Sequence, residues 1–338
     1  MTNLLLAGLD VGGTKTCAVA LRMPVNEAAR VPAIDGGSLA AGLRRPTQVG
    51  GASAVTRGIA KTVTDLADAA GVSADGFAAV GVGIPGLVDG DAGTVRHAVN
   101  LGLGDEPLAL AARLGDLVGA PVVVENDVNV AALGASSALG CPGDLAYLSV
   151  GTGVAAGFVV GGRLWRGAHG AAGEIGHLPV DPSGPVCECG QRGCLEAVAS
   201  GTAITRRWPS SGGAASAAAA LFTAAKGGDR LAVALRDEVA RHLAGAVALI
   251  AQTVDPRVVV LGGGVAEAGP VLLDAVVDVL RARARRSPML TALDLAGRVT
   301  LVPQDVPVGA LGAALMTQTR LTAGGAQDRA VGGSPGGF

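Results

Sequence analysis

Residues 108–139 read LALAARLGDLVGAPVVVENDVNVAALGASSAL, and three elements follow one another in that stretch. Leu108 to Val118 has helical spacing, Pro121 to Val124 is a fully apolar strand, and Asn126-Asp127 begins a further helix running toward Leu139. Strand alternating with helix predicts an α/β architecture with largely parallel sheets. In such sheets, ligands gather beyond the carboxyl ends of the strands.

The same alternation extends outward in both directions. Leu4 to Leu9 is an apolar run closed by Asp10 and the turn Gly12-Gly13, and Thr16 to Leu21 resumes it as the second arm of a hairpin. Ala54 to Ala70 carries Val55, Ile59, Val63, Leu66 and Ala70 at helical intervals, and Phe77 to Ile84 is a buried strand broken by Pro85-Gly86. Downstream, 214–225 and 231–254 read as helices, and Arg257 to Leu261 as a strand meeting Gly262-Gly263-Gly264. Leu272 to Arg285 is a helix whose basic residues gather in its last turns, where the helix dipole favours them. A last strand, Val299 to Val302, and a last helix, Ala310 to Met316, precede a Gly-rich stretch without periodicity. Residues 322–338 are therefore expected to be a disordered tail.

Composition narrows the partners. With 338 residues the chain is long enough for two domains, and because aromatics are 2% against 49% apolar residues, the cores must be Ala, Val and Leu. A net charge of −2 leaves no basic footprint, so nucleic acid and anionic membrane surfaces are not expected partners. The N-terminal run lacks a positive n-region and ends at Asp10, which argues against a signal peptide and for the cytoplasm. Leu145 to Gly162 has the length of a membrane span, but its five glycines with Ser149 and Thr152 read as a hairpin.

One imidazole and three thiols, His177, Cys187, Cys189 and Cys194, fall within two dozen residues between Glu174 and Glu196. Together they offer the four N/S ligands of a structural, tetrahedral Zn²⁺ site. A disulfide is the competing reading; a single residue between Cys187 and Cys189 disfavours it. Cys17 and Cys141 lie in apolar runs and read as small core residues.

Three glycine turns each follow a strand: Asp10 to Thr14, Gly151 to Gly153, and Gly262 to Gly264. Each could present backbone N–H groups to an anion; a tight turn without ligand is the plain alternative. Gly8 to Lys15 nearly spells a P-loop, but Thr14 separates Gly13 from Lys15 and the required ending fails.

The set Leu9-Asp10-Val11-Gly12-Gly13-Thr14-Lys15, Glu125-Asn126-Asp127, Gly151-Thr152-Gly153, Glu174-Ile175-Gly176-His177 and the Cys187-to-Glu196 loop resembles the ROK family of bacterial sugar kinases and repressors, over about Leu4 to Met316. The resemblance implies an actin-like ATPase (ribonuclease H-like) fold of two α/β domains with sugar and nucleotide meeting in the cleft between them. The first domain would span residues 1–126 plus 307–321, and the second 127–306, carrying the zinc loop 177–194. It implies ATP- and Mg²⁺-dependent phosphorylation of a hexose at the 6-hydroxyl, a glucokinase activity foremost. Relatives acting on N-acetylmannosamine, N-acetylglucosamine, fructose, amino sugars or cyclitols supply the alternatives, and a homodimer or homotetramer is the expected assembly.

The resemblance also distributes roles. Asp127 is the expected base, with Asn126 bonding a sugar hydroxyl, although a helix opening on Asn-Asp is equally read as capped by either residue. Glu174, His177 and Glu196 are expected hydroxyl readers, because carboxylates accept from OH groups and a metal-bound imidazole keeps its other N–H free to donate. The plain alternative places both acids on solvated turns. Asp10, Gly12, Gly13, Thr14 and Lys15 match the first phosphate loop, Gly151, Thr152 and Gly153 the second, and Gly262, Gly263 and Gly264 the adenine border. Gly83, Pro85, Gly86 and Asn100 match a loop lining the sugar pocket. His169 stands where many relatives carry Asn, and Leu103 where an aromatic is frequent, which leaves the sugar's identity open.

Two rival functions stand beside the kinase. Part of the family resembled consists of transcriptional regulators with an N-terminal winged helix; Asp10 lies too near the first residue for one to be expected before it, which leaves a regulator lacking its DNA-binding domain as the alternative. An NAD-dependent oxidoreductase is suggested by Gly81, Gly83 and Gly86, but Leu87 to Asp91 reads as a turn, so no helix N-terminus would receive the pyrophosphate.

Overall fold

The computed structural model describes residues 3–24, 37–141, 143–208 and 216–318. The chain divides into two compact units. One comprises residues 1–142 with 161–164 and everything from 304 on; the other comprises 143–160 and 165–303.

The first unit is built on strands β1 (Asn3–Val11), β2 (Lys15–Pro24), β3 (Ser38–Pro46), β4 (Ala79–Ile84) and β7 (Val122–Asn126), with a small hairpin of β5 (Leu87–Asp89) and β6 (Thr94–Arg96) beside them. Its helices are α1 (Ala52–Ala70), α2 (Leu110–Val118), α3 (Asp127–Ala138) and a closing helix at 308–318. The sheet order is β3-β2-β1-β4-β7. β1 pairs with β2, and β2 with β3, in antiparallel fashion, whereas β1, β4 and β7 run parallel. The sheet is thus mixed and not largely parallel, because a turn as short as Gly12-Gly13 can only return the chain antiparallel.

Apolar residues on alternate strand positions bury one face. Leu5, Leu9, Val80, Val82 and Val124 pack with Val55, Ile59, Val63 and Leu66 of α1 and with Leu110 and Leu114 of α2. On the other face the closing helix approaches at backbone distance: a Cβ on Gly8 would lie 2.1 Å from the Ala310 carbonyl oxygen, and one on Gly81 would lie 1.8 Å from that of Ala313. α3 joins this layer, since Gly134 meets the Val308 backbone and Gly312 that of Val130. The helix at 127–138, expected in the second domain, is packed in the first unit by these contacts.

A second sheet repeats the plan with β8 (Leu145–Val150), β9 (Val154–Val160), β10 (Arg163–Trp165), β11 (Val258–Gly262) and β12 (Val299–Leu301), in the order β10-β9-β8-β11-β12. β8 and β9 form the expected hairpin, and β8, β11 and β12 are parallel. Helices α4 (Leu195–Ala199), α5 (Gly201–Arg207), α6 (Ala217–Lys226), α7 (Arg230–Thr253), α8 (Pro270–Ala284) and α9 (Pro288–Leu293) surround it. Leu148, Phe158, Leu221, Leu243, Val247, Leu261 and Leu272 are at its core. Among the described residues no helix is long and apolar enough to cross a membrane. The tail expected over 322–338, and residues 319–321 of the first domain, lie outside the described residues.

Candidate active site

Parallel strands put the carboxyl ends of β1, β4 and β7 on one edge of the first sheet. Asp10 is register partner to Gly83, and Gly83 to Glu125. A Cβ on Gly83 would meet Val130 at 2.4 Å and the Asp127 Cα at 3.6 Å, so the absence of a side chain lets the first turn of α3 settle on the strand. Asp10, Asn126 and Asp127 are thereby gathered.

Asn126 and Asp127 occupy different positions at the head of α3. The Asn126 side-chain oxygen accepts the amides of Val128 (2.9 Å) and Asn129 (3.3 Å), which makes it the cap of α3, and its Nδ2 donates to the Gly86 carbonyl at 3.3 Å. Asp127 is the first helical residue, and its Oδ1 accepts the Val128 amide at 2.9 Å. Gly86 has φ +105°, and a Cβ there would lie 2.6 Å from the Arg96 carbonyl, so glycine is required for this turn to reach Asn126.

Glu125, quoted with the Glu125-Asn126-Asp127 motif but given no role there, is a buried carboxylate whose Oε1 accepts the Asn126 amide (3.0 Å) and the Asn129 Nδ2 (2.9 Å). It braces the turn that presents Asp127. A carboxylate ending an otherwise apolar strand was the available signal.

Asp10 is the most perturbed acid of this edge. Burial, and next the charge of Asp127, raise its pKa to about 7, while Lys15 pulls the other way. The turn beside it closes through the Gly12 amide on the Lys15 carbonyl (3.0 Å), and Thr47 ties it down, its hydroxyl donating to the Gly12 carbonyl at 2.7 Å. A Cβ on Gly13 would lie 3.1 Å from that of Asn100, which brings the two expected loops into contact; Thr14 and Lys15 are exposed.

In the second unit the ends of β8 and β11 are adjacent, Gly262 pairing with Ser149, so the turns at Gly151–Gly153 and Gly262–Gly264 are neighbours. The Gly151 amide donates to the Gly153 carbonyl at 2.9 Å, and the Val265 amide to the Val150 carbonyl at 2.9 Å. Glu196 reaches this turn: its Oε2 accepts the Val154 amide at 3.0 Å, leaving its second oxygen for another donor. Glu174 is exposed, at the head of the single helical turn that ends in His177.

The ligand atoms of His177, Cys187, Cys189 and Cys194 all lie within 4.8 Å of one another. Tetrahedral zinc with N and S ligands has edges of about 3.5–3.8 Å by its usual bond lengths. The 3.6 Å from His177 Nδ1 to Cys187 Sγ and the 3.7 Å from Cys189 Sγ to Cys194 Sγ fall on those edges. The residues fit the metal, and Nδ1 is the ring nitrogen beside the Cys187 thiol. All five cysteines are free thiols, so the disulfide reading fails. A backbone hydrogen bond from Gln191 pulls the Cys189 thiol down to about 6, whereas burial pushes Cys194 up to about 12.

A family model described as ROK family matches residues 6–320. Glucokinase of Thermotoga maritima is 37% identical over 300 residues, 83% of this chain and 89% of that protein. Among solved structures, the ROK hexokinase of Thermus thermophilus superposes with a TM-score of 0.72 at 32% identity, covering 95% of this chain and all (100%) of that one. A ROK family glucokinase of Streptomyces griseus, in complex with glucose and AMPPNP, gives 0.68 at 30% identity, covering 92% and 98%. The fold is the actin-like ATPase fold of the ROK sugar kinases. With its family model spanning nearly the whole sequence and the motif residues assembled as described, the chain belongs to the ROK family.

Proposed function

We propose that this chain transfers the γ-phosphoryl group of ATP to the 6-hydroxyl of a hexose, glucose first among acceptors. The observation that carries the reading is the division of labour at the head of α3, where Asn126 takes the capping bonds and Asp127 stands beside Asp10. Phosphoryl transfer demands alignment, charge neutralisation and a base at the attacking hydroxyl, and no covalent chemistry from the protein. Asp127 supplies the base, taking the hydroxyl proton as the oxygen attacks. Asn126, held by Gly86, bonds a neighbouring hydroxyl, and Asn100 completes this side.

Glu174, His177 and Glu196 are assigned to reading the remaining hydroxyls. Zinc, held by His177, Cys187, Cys189 and Cys194, would supply rigidity and fix the imidazole so that Nε2–H is the donor. The turns Gly12–Lys15 and Gly151–Gly153 are assigned to the nucleotide phosphates, and Gly262–Gly264 to the adenine border. Asp10, whose proton is held by burial and neighbouring negative charge, would be the carboxylate that serves Mg²⁺, since a cation there reverses both effects. An enzyme drawing on ATP belongs where ATP is made, so the cytoplasm is its proposed place.

ADP release coupled to a reporter, run over a panel of hexoses, N-acetylhexosamines and amino sugars, tests the reading. Glucose-dependent ADP formation that disappears in Asp127→Asn is the expected result. No acceptor-dependent ADP formation with any sugar in the panel would defeat it.

A further inference from the structure

The stretch following the last cysteine, 195–202, is fastened at three places to residues 151–154, the glycine turn and the first residue of β9. Glu196 Oε2 accepts the Val154 amide at 3.0 Å, the Gly201 amide donates to the Gly151 carbonyl at 2.7 Å, and the Thr202 hydroxyl donates to the Thr152 carbonyl at 2.8 Å. The fit is tight as well as bonded. A Cβ on Gly153 would lie 2.3 Å from Glu196 Oε2, and one on Gly201 would lie 2.8 Å from the Gly151 carbonyl oxygen. These bonds engage the carbonyls of Gly151 and Thr152, which sets the plane of each peptide and therefore the direction of the N–H groups on the opposite side.

From this we infer that Thr202, with Gly201, is a positioning residue for the nucleotide. It orients the second phosphate turn and couples it to the Cys187–Cys194 loop. The inference rests on the kinase reading above and extends it, because the loop then governs nucleotide affinity as well as the sugar contacts. Thr205, one turn along α5, donates its hydroxyl to the Gly201 carbonyl at 2.8 Å within its own helix, and so provides a matched hydroxyl with no bond to the turn.

The test uses the full chain and the fluorescent nucleotide TNP-ATP as probe, with hexose KM measured in parallel. Thr202→Val is expected to weaken TNP-ATP binding about tenfold, the value of one well-placed hydrogen bond. Hexose KM should stay within about twofold by the same reasoning. Thr202→Ser, which restores the hydroxyl, should return the affinity, and Thr205→Val should leave it unchanged. Thr202→Ala carries the same expectation as Val should the added methyl unfold α5. Chelation of the loop metal should weaken TNP-ATP binding as Thr202→Val does. Wild-type affinity in the Val and Ala variants, failure of Ser to rescue, or equal losses for nucleotide and hexose would overturn the inference while the kinase reading stands. An unmodified chain that binds no TNP-ATP would overturn both.

Discussion

Asp10 and Asp127 are electrostatic neighbours: with Asp10 already raised by burial, the charge of Asp127 lifts it further, to about 7, against the opposing pull of Lys15. The folded chain therefore keeps a proton on Asp10 that the unfolded chain, with its ordinary carboxyl, releases near pH 4. Stability is full below that pH, declines as pH rises toward 7, and is level beyond it. Asp10→Asn removes the ionisable group. In ligand-free protein, denaturant unfolding should show the variant gaining on wild type between pH 4.5 and pH 8, by on the order of a few kcal/mol. A gap that does not change with pH would contradict the assignment.

Asp127→Asn should cut kcat by about 10³ or more while calorimetry still detects hexose binding, as expected for loss of a general base. The first helical position tolerates Asn, and Asn126 keeps the cap, so the variant should fold. Its thermal midpoint is the control.

Asn126→Ala removes two capping bonds and the link to Gly86 at once. A loss of about 1 kcal/mol in unfolding free energy follows from the cap alone. A rise in hexose KM should accompany it, and the two effects are separated by measuring unfolding and kinetics on the same preparation.

Cys189→Ser takes one ligand from the His177–Cys194 cluster. Zinc content, read with a colorimetric chelator, should fall from one per chain toward zero, with a rise in hexose KM. Full occupancy in that variant would remove Cys189 from the ligand set.

Gly134→Ala puts a methyl 1.9 Å from the Val308 carbonyl oxygen, a backbone atom that cannot turn aside. Destabilisation of about 2–4 kcal/mol is expected from forced separation of α3 and the closing helix. Chemical denaturation measures it directly.

Local signals made much of this legible. The apolar runs at 4–9, 77–84 and 121–124 announced their strands because a buried parallel strand has no polar face to hide. The cluster of His177 with Cys187, Cys189 and Cys194 announced itself because its three thiols sit within eight residues. β3 escaped notice because Ser38–Pro46 contains no β-branched residue, so neither propensity nor alternation marks it. The role of Thr202, and part of that of Glu125, lie in hydrogen bonds to backbone, and backbone partners leave no trace in the identity of the residues they belong to. The unit boundary shifted past 126 because what holds α3 in the first unit is contact with residues near 310, a relationship nearly two hundred positions away in the sequence.

That same relationship bears on how the protein is made. The first unit's sheet begins with residue 3, yet the helix that lies against Gly8 and Gly81 spans 308–318. A ribosome must therefore deliver almost the entire polypeptide before the opening strands can meet their covering. Contacts so distant in sequence form slowly, so the opening strands wait for their covering until residues near 310 have been delivered.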